Sequence, residues 1–437
     1  MKIMKILIKN GRVIDPAQNI DGYKEILIEG GKIKGLYPKN KGPKSEAEGR
    51  CPKGRLKVID ASGCIVMPGL VDIHTHLREP GFEYKETIKT GTIAALRGGF
   101  TSICCMPNTN PINDSIAVTE FIIEKALKEG ACAVYPIGAI TKGRNGEALT
   151  ELEALIKAGC IAFSDDGKPV TNSLIMRRTL EYSKIFNIPI ISHCEDLKLS
   201  EGGVMNEGFI STILGLKGIP KAAEEIMVAR DIALCELTGG RLHIAHVSTK
   251  GSVKLIKGAK ARGINVTSET CPHYFSLTDE SLKNYNTNLK VNPPLRTEKD
   301  VEAIKQGLKD GTIDVIATDH APHHVDDKNK EFDTAAFGIS GLETALALGL
   351  QLVEQRVLSL KQLIIKMSLT PSKIIGIKKG MLAIGVDADI VILNPEKKFK
   401  VDSSRFLSKG KNTPFDGWYL KGTIEKTIYK GKVYEWV

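Results

Sequence analysis

The chain has 437 residues and a formal net charge of +10, a length suited to one large α/β barrel with a smaller appended unit. Its lysines are interspersed with glutamates, densest at Lys39 to Lys57 and Lys397 to Lys411, and no aromatic-and-basic recognition motif accompanies them. A solvated surface is therefore expected, with no nucleic-acid partner, although a small anionic substrate would be favoured. No apolar run approaches a membrane span, and the nine cysteines contain no Cys-x-x-Cys pair, so a cytoplasmic protein with reduced, mostly buried thiols is expected.

From Met1 to Ile14 lysine alternates with isoleucine, the pattern of a strand rather than of a signal peptide. Short alternating segments continue to Leu36, and Asn10-Gly11, Asp15-Pro16 and Gly30-Gly31 between them predict hairpins. Tyr37 to Arg55, rich in lysine, glycine and proline, reads as an exposed loop. From Met67 to Gly380 apolar strands alternate with helical patterns. Eight strands are predicted, centred on Asp72, Ile103, Tyr135, Ala162, Ile190, Ile244, Val266 and Ile316, with helices such as Ala222 to Leu237 and Gly341 to Val353. Pro136 is the one residue that argues against its strand. After Gly380 punctuated β segments return, from Ala388 to Leu393 and from Thr427 to Tyr434. The expected fold is α/β: a TIM-type (β/α)8 barrel over residues 67–380, beside a small sheet domain assembled from residues 1–66 and 381–437.

The carboxyl ends of these strands carry a consistent chemistry. His74 and His76 follow the first, spaced so that both imidazoles point to one face of a strand. Asp165 and Asp166 follow the fourth, His193 the fifth, His246 the sixth and Asp319 the eighth. Four imidazoles with two carboxylates suit zinc, and they suffice for a binuclear site if one carboxylate bridges. Arg78, two residues past His76, is expected on the same face, where its guanidinium can take a carboxylate in a two-pronged hydrogen bond; Asn108, after the second strand, can donate to the same group.

The segments DIHTHLREP from Asp72 and ATDHAPHHVDDK from Ala317 resemble the two motifs of dihydroorotases, in the cyclic-amide branch of the amidohydrolase superfamily. CMPNTNP, FSDDG, HCED and VNPPLR, beginning at Cys105, Phe163, His193 and Val291, are similar to the family's other motifs in the same order. The resemblance implies that the terminal segments form a β-sandwich. It implies that His74, His76 and Asp319 hold one metal, that His193 and His246 hold the other, and that Asp166 bridges them where many relatives use a carbamylated lysine. One or two zinc ions per subunit follow. Asn292 and His323 would complete the pocket with Arg78 and Asn108, and Phe337-Gly338 stands where a Pro-Gly pair often offers its backbone to the substrate ring.

The implied reaction is the reversible cyclisation of N-carbamoyl-L-aspartate to L-dihydroorotate in pyrimidine biosynthesis, with Asp319 carrying the proton. A homodimer and a complex with aspartate carbamoyltransferase are the partners the resemblance allows. Two alternatives stand beside this reading. A hydantoinase, dihydropyrimidinase or allantoinase would share fold and metals but needs no partner for a ring carboxylate, which Arg78 and Asn108 supply. A catalytically silent scaffold would lack part of the ligand set, which is complete here. Cys194, His243, His273 and His324 are expected to pack or support rather than react.

Overall fold

The computed structural model describes residues 5–42 and 56–436. Eight parallel strands follow one another around a barrel: β1 (Leu70–Thr75), β2 (Phe100–Cys105), β3 (Ala133–Gly138), β4 (Ala162–Phe163), β5 (Ile190–Ser192), β6 (Leu242–Ile244), β7 (Val266–Thr270) and β8 (Val315–Ile316). Each sits where the sequence predicts a strand. The ring closes just past β8, where His320 bridges Thr75 and its carbonyl accepts from His76 N at 2.8 Å.

Pro136 is tolerated inside β3 because its carbonyl still accepts from Ile161 N at 3.2 Å, while the neighbouring two-residue β4 begins only at Ala162. The missing donor thus falls beside a frayed strand start rather than in a full ladder.

A helix follows every strand. Ser173–Phe186 illustrates why: Asn172 caps Leu174 N and Ile175 N, and Ile175, Met176, Thr179, Leu180 and Ser183 line one buried face. Asn187, in the left-handed region, ends it. The helix predicted over Ala222 to Leu237 is present as Lys221–Thr238. The one predicted from Gly341 begins at Ala345, and the residues before it form a turn in which Thr344 N and Ala345 N both donate to Gly341 O, at 3.3 and 3.1 Å.

Nine strands from both chain ends build a second, mixed sheet. Its order is Lys432–Glu435, Tyr419–Tyr429, Ile390–Lys400, Ile65–Pro68, Arg12–Asp15, Ile20–Glu29, Lys5–Lys9 and Leu56–Asp60, with Lys32–Pro38 on Ile20–Glu29. It curls into the expected sandwich over residues at strand spacing, among them Ile6, Ile8, Ile26, Ile28, Ile390 and Ile392. Ile65–Pro68 runs through Gly69 directly into β1, so this sheet anchors the first barrel strand. Of the predicted Tyr37 to Arg55 loop, Tyr37 and Pro38 close a strand and 39–42 turn; residues 43–55 lie outside the described residues, as do Met1 to Met4 of the predicted first strand. Among the described residues no helix is long and apolar enough to cross a membrane, and the eight described cysteines are free thiols.

The two ends of the chain meet at their hairpin tips. Gly31, at φ +76°, lies so close to the other tip that a Cβ on it would stand 2.7 Å from Lys430 O. Gly31→Val should therefore strain this junction and lower unfolding stability by about 1–3 kcal/mol, read as a lower Tm with metal content unchanged. An unaltered Tm would show that the tips are free to separate.

Candidate active site

Strict alternation cannot by itself deliver His74 to the barrel interior. Val71 and Ile73 pack with Cys104, Ile191 and Ala317 in the interior cluster, so the next residue would ordinarily point to the other face. A register shift against β2 between Asp72 and Thr75 breaks the alternation, and His74 turns inward with His76. Asp72 is left facing the barrel seam. There it accepts from Thr318 Oγ1 at 2.6 Å and from His74 N at 3.1 Å, tying β1 to the segment that carries Asp319. Burial pushes the Asp72 carboxyl up to about 7.

Asp166 stands at the centre of four imidazoles. Its Oδ1 lies 3.4 Å from His74 Nε2, 3.4 Å from His246 Nε2 and 3.6 Å from His193 Nδ1, and its Oδ2 lies 3.5 Å from His76 Nε2. Asp319 Oδ1 is 3.1 Å from His76 Nε2 and 3.4 Å from His74 Nε2. Two compact groups of potential ligand atoms result, His74 with His76 and Asp319, and His74 with Asp166 and His246. His193 joins neither group, although its Nδ1 is 2.8 Å from His246 Nε2.

The outer nitrogens of three histidines explain why the inner ones face this centre. His74 Nδ1 meets Glu269 Oε1 at 2.5 Å, His76 Nδ1 meets Asn108 Oδ1 at 2.8 Å, and His193 Nε2 meets Glu195 Oε2 at 2.9 Å. Each acceptor takes an N–H, which orients the ring so that the opposite nitrogen faces the centre and, on a neutral imidazole, offers its lone pair there. Burial disfavours charge here, yet Asp166, Glu269 and Asp319 hold the His74 imidazolium well above its usual range, while Asp166 and Asp319 are held well below theirs. His193 is raised to about 10 against its own burial by Asp166 and Glu195. His74 Nε2 and Asp166 Oδ1 are nevertheless buried without a hydrogen-bond partner. Orphaned nitrogen and oxygen donors aimed at one another fit a bound divalent metal.

Three residues of the site adopt the left-handed backbone that non-glycine residues avoid: Arg78 at φ +63°, His246 at +34° and Asp319 at +46°. Each such residue costs about 1–3 kcal/mol and persists only where its surroundings over-determine it. β1 ends at Thr75, so Arg78 reaches the rim through this turn and not through strand alternation.

Arg78 Nε donates to Pro322 O at 3.2 Å, and its Nη2 lies 3.2 Å from His323 Nε2. Burial pushes the guanidinium down to about 10, and no carboxylate among the described residues pairs with it. His323 Nε2 donates to Phe337 O at 2.8 Å, which leaves Nδ1 to face Lys85 Nζ at 3.3 Å. Burial, with the charges of Arg78, Lys85 and Lys328, pushes this imidazole down to about 2, so it is neutral. Asn292 Nδ2 donates to Glu195 Oε2 at 2.9 Å, which links it to His193. Gly338 N donates to Lys290 O at 2.9 Å, so its N–H is not open to a ligand.

Asp165 is structural, accepting from Ile140 N and Thr141 N at the end of β3. Cys194 packs against Ser192 and Asp231, and burial pushes its thiol well up. His243 donates to Glu269, and His324 caps the turn of helix that follows it. Glu269, Glu195 and Lys85 are the participants that motif reading missed. Glu269 had a visible signal: with Asp72 it is the only acidic residue inside the eight strands.

A sequence model of the dihydro-orotase-like family matches residues 63–252. A dihydroorotase of Syntrophus aciditrophicus is 56% identical over 98% of this chain and 99% of its own, and one of Geobacter metallireducens 57% identical over the same shares. Among solved structures, the L-hydantoinase (dihydropyrimidinase) of Arthrobacter aurescens superposes with a TM-score of 0.87 over 99% of this chain and 97% of its own, at 26% identity. The dihydropyrimidinase of Brevibacillus agri, at 24% identity, covers 98% of this chain and 95% of its own with a TM-score of 0.84 and shares the fold. Identity to the curated dihydroorotases is thus about twice that to the hydantoinases at equal coverage, and the chain belongs to the dihydroorotase family.

Proposed function

We propose that this metal-dependent hydrolase interconverts N-carbamoyl-L-aspartate and L-dihydroorotate, with zinc as its metal. The observation that carries the reading is the buried Arg78 guanidinium, which pairs with no carboxylate among the described residues, on the same rim as the Asp166 cluster. A hydantoin or dihydropyrimidine ring has no carboxylate to satisfy it. Arg78 binds the ring carboxylate, assisted by the Asn108 amide and the neutral His323, and Asn292 and the Phe337 backbone orient the ring. His74, His76, Asp166, His193, His246 and Asp319 hold one or two metal ions. Zinc bound there supplies a Lewis acid that lowers the pKa of water and offsets charge on an amide oxygen.

In ring opening, Asp319 accepts a proton from the attacking water and returns it to the departing ring nitrogen. In cyclisation it takes a proton from the ureido nitrogen as that nitrogen attacks the side-chain carboxylate. Cyclisation consumes a proton overall, so lower pH favours the ring. The same reading extends to a cytoplasmic enzyme whose chemistry is confined to residues 67–380, to a homodimer, and to association with aspartate carbamoyltransferase.

Stripping the protein with a chelator should abolish dihydroorotate hydrolysis, and zinc should restore it; full activity in metal-free protein would end the proposal. Arg78→Met should retain its metal yet lose about two orders of magnitude in kcat/KM, because the substrate carboxylate is left buried and unpaired. Normal turnover by that variant would return the hydantoinase reading to favour. Asp319→Asn should reduce both directions by about a hundred- to ten-thousand-fold while dihydroorotate binding changes far less. Near-normal rates would remove Asp319 from proton transfer.

A further inference from the structure

Just past His323 a short helix, Val325–Lys328, ends on a lysine that is 5% exposed and pairs with no carboxylate among the described residues. Its ammonium spends its three protons on backbone: Nζ lies 2.7 Å from Ala336 O, 3.2 Å from Gly338 O and 3.5 Å from Lys290 O. The carbonyl between the two on the loop is taken by His323 Nε2 at 2.8 Å, and Gly338 O accepts a second bond from Asn412 Nδ2 at 3.0 Å. Three consecutive carbonyls, 336 to 338, are therefore all held by side-chain donors. Lys290 completes the clasp: its carbonyl accepts from Gly338 N, and its own ammonium sits 4.4 Å from the centre of the Phe337 ring.

A planar trans peptide fixes what this does to the other side of the loop. The N–H of Phe337 belongs to the same peptide unit as Ala336 O and points opposite to it, so an Ala336 carbonyl drawn to Lys328 turns the Phe337 N–H away from Lys328. That N–H finds no acceptor among the described residues. The loop is packed closely at Gly338, where at φ +140° a Cβ would meet Ala321 O at 2.7 Å. A buried ammonium is costly to retain where a methionine would fill the same space. Burial and the neighbouring Lys290 charge push Lys328 down to about 7, against the pull of Asp327.

We propose that Lys328 is a positioning residue for the substrate ring: by holding the Ala336 and Gly338 carbonyls it presents the Phe337 N–H, beside Arg78 and His323, as a donor to a ring carbonyl. The inference rests on the dihydroorotase reading above, and it assigns to Phe337 the contact that Gly338 cannot make. Lys328 touches neither substrate nor metal ligand. Its loss should weaken binding of ground state and transition state alike.

The test compares Lys328→Met, which fills the space without donors, and Lys328→Gln, which keeps two, with wild-type protein, all purified with zinc. Wild-type hydrolysis of dihydroorotate is measured first, so that a failure of the functional reading shows separately. Lys328→Met should keep its metal and raise KM about 10- to 100-fold with kcat changed by less than about threefold. Lys328→Gln should recover part of that loss. Wild-type KM in either folded, metal-loaded variant overturns the proposal, as does a lowered Tm with unchanged KM. Loss of fold or metal in both variants also overturns it, since Lys328 would then be structural.

Discussion

The seam between the first and eighth barrel strands is the constraint on which the site depends. His76 N bonds to His320 O, and Asp72 reaches across to Thr318, so the two chain segments that carry His74, His76 and Asp319 are locked side by side although 243 residues separate His76 from Asp319. A parallel barrel can be closed only by bringing its first and last strands together, and the same closure assembles half of the ligand cluster. The second sheet contributes by holding the entry to β1: Gly69 N bonds to Asp389 O at 2.9 Å, so a strand from the carboxyl-terminal half braces the residue at which the barrel begins.

Concentrating two carboxylates and four imidazoles in a buried centre is electrostatically expensive unless positive charge enters with them. In this arrangement His74 and His193 carry that charge as protons, and Asp166 and Asp319 are correspondingly acidic. A divalent metal meets the same need through the same atoms, which is why the outer nitrogens of His74, His76 and His193 are tied to Glu269, Asn108 and Glu195. Left-handed backbone at Arg78, His246 and Asp319 belongs to the same economy of placement. These residues leave their strands at angles that regular geometry does not provide, and the packed rim holds them there.

The pocket is strongly cationic on its other side. Arg78, Lys85, Lys290 and Lys328 converge on His323 and the 336–338 loop, and among the described residues Asp327 is the one acid that pairs with them, at 3.1 Å from Lys85. This local excess, rather than the dispersed net charge of +10, suits a small anionic substrate. Together with burial, the larger cause, it keeps His323 neutral, so that the imidazole adds no fixed charge and acts as a hydrogen-bond donor.

Much of this molecule was legible in its sequence because barrel chemistry is local at each strand end. An apolar run followed by a histidine or aspartate marks both a strand and its functional residue, so all eight strands and the residues gathered around Asp166 could be read without knowing how the strands close. What tertiary structure decided lies where local rules break or where partners are distant. The spacing of His74 and His76 predicts a shared face, but which face is set by a register shift against β2 that only the paired strand reveals. Arg78 looked like the next step of an alternating strand and instead turns through a left-handed residue. Glu269 has no motif of its own, because it accepts from a histidine 195 residues away, and Glu195, although inside HCED, shows its role only once its carboxylate is seen against His193. Lys328 closes the motif ATDHAPHHVDDK without a role of its own in the sequence, and only the folded loop shows its ammonium buried against three carbonyls. Strand periodicity and ligand chemistry are properties of neighbours in sequence; burial, register and the partner of a buried charge are properties of neighbours in space.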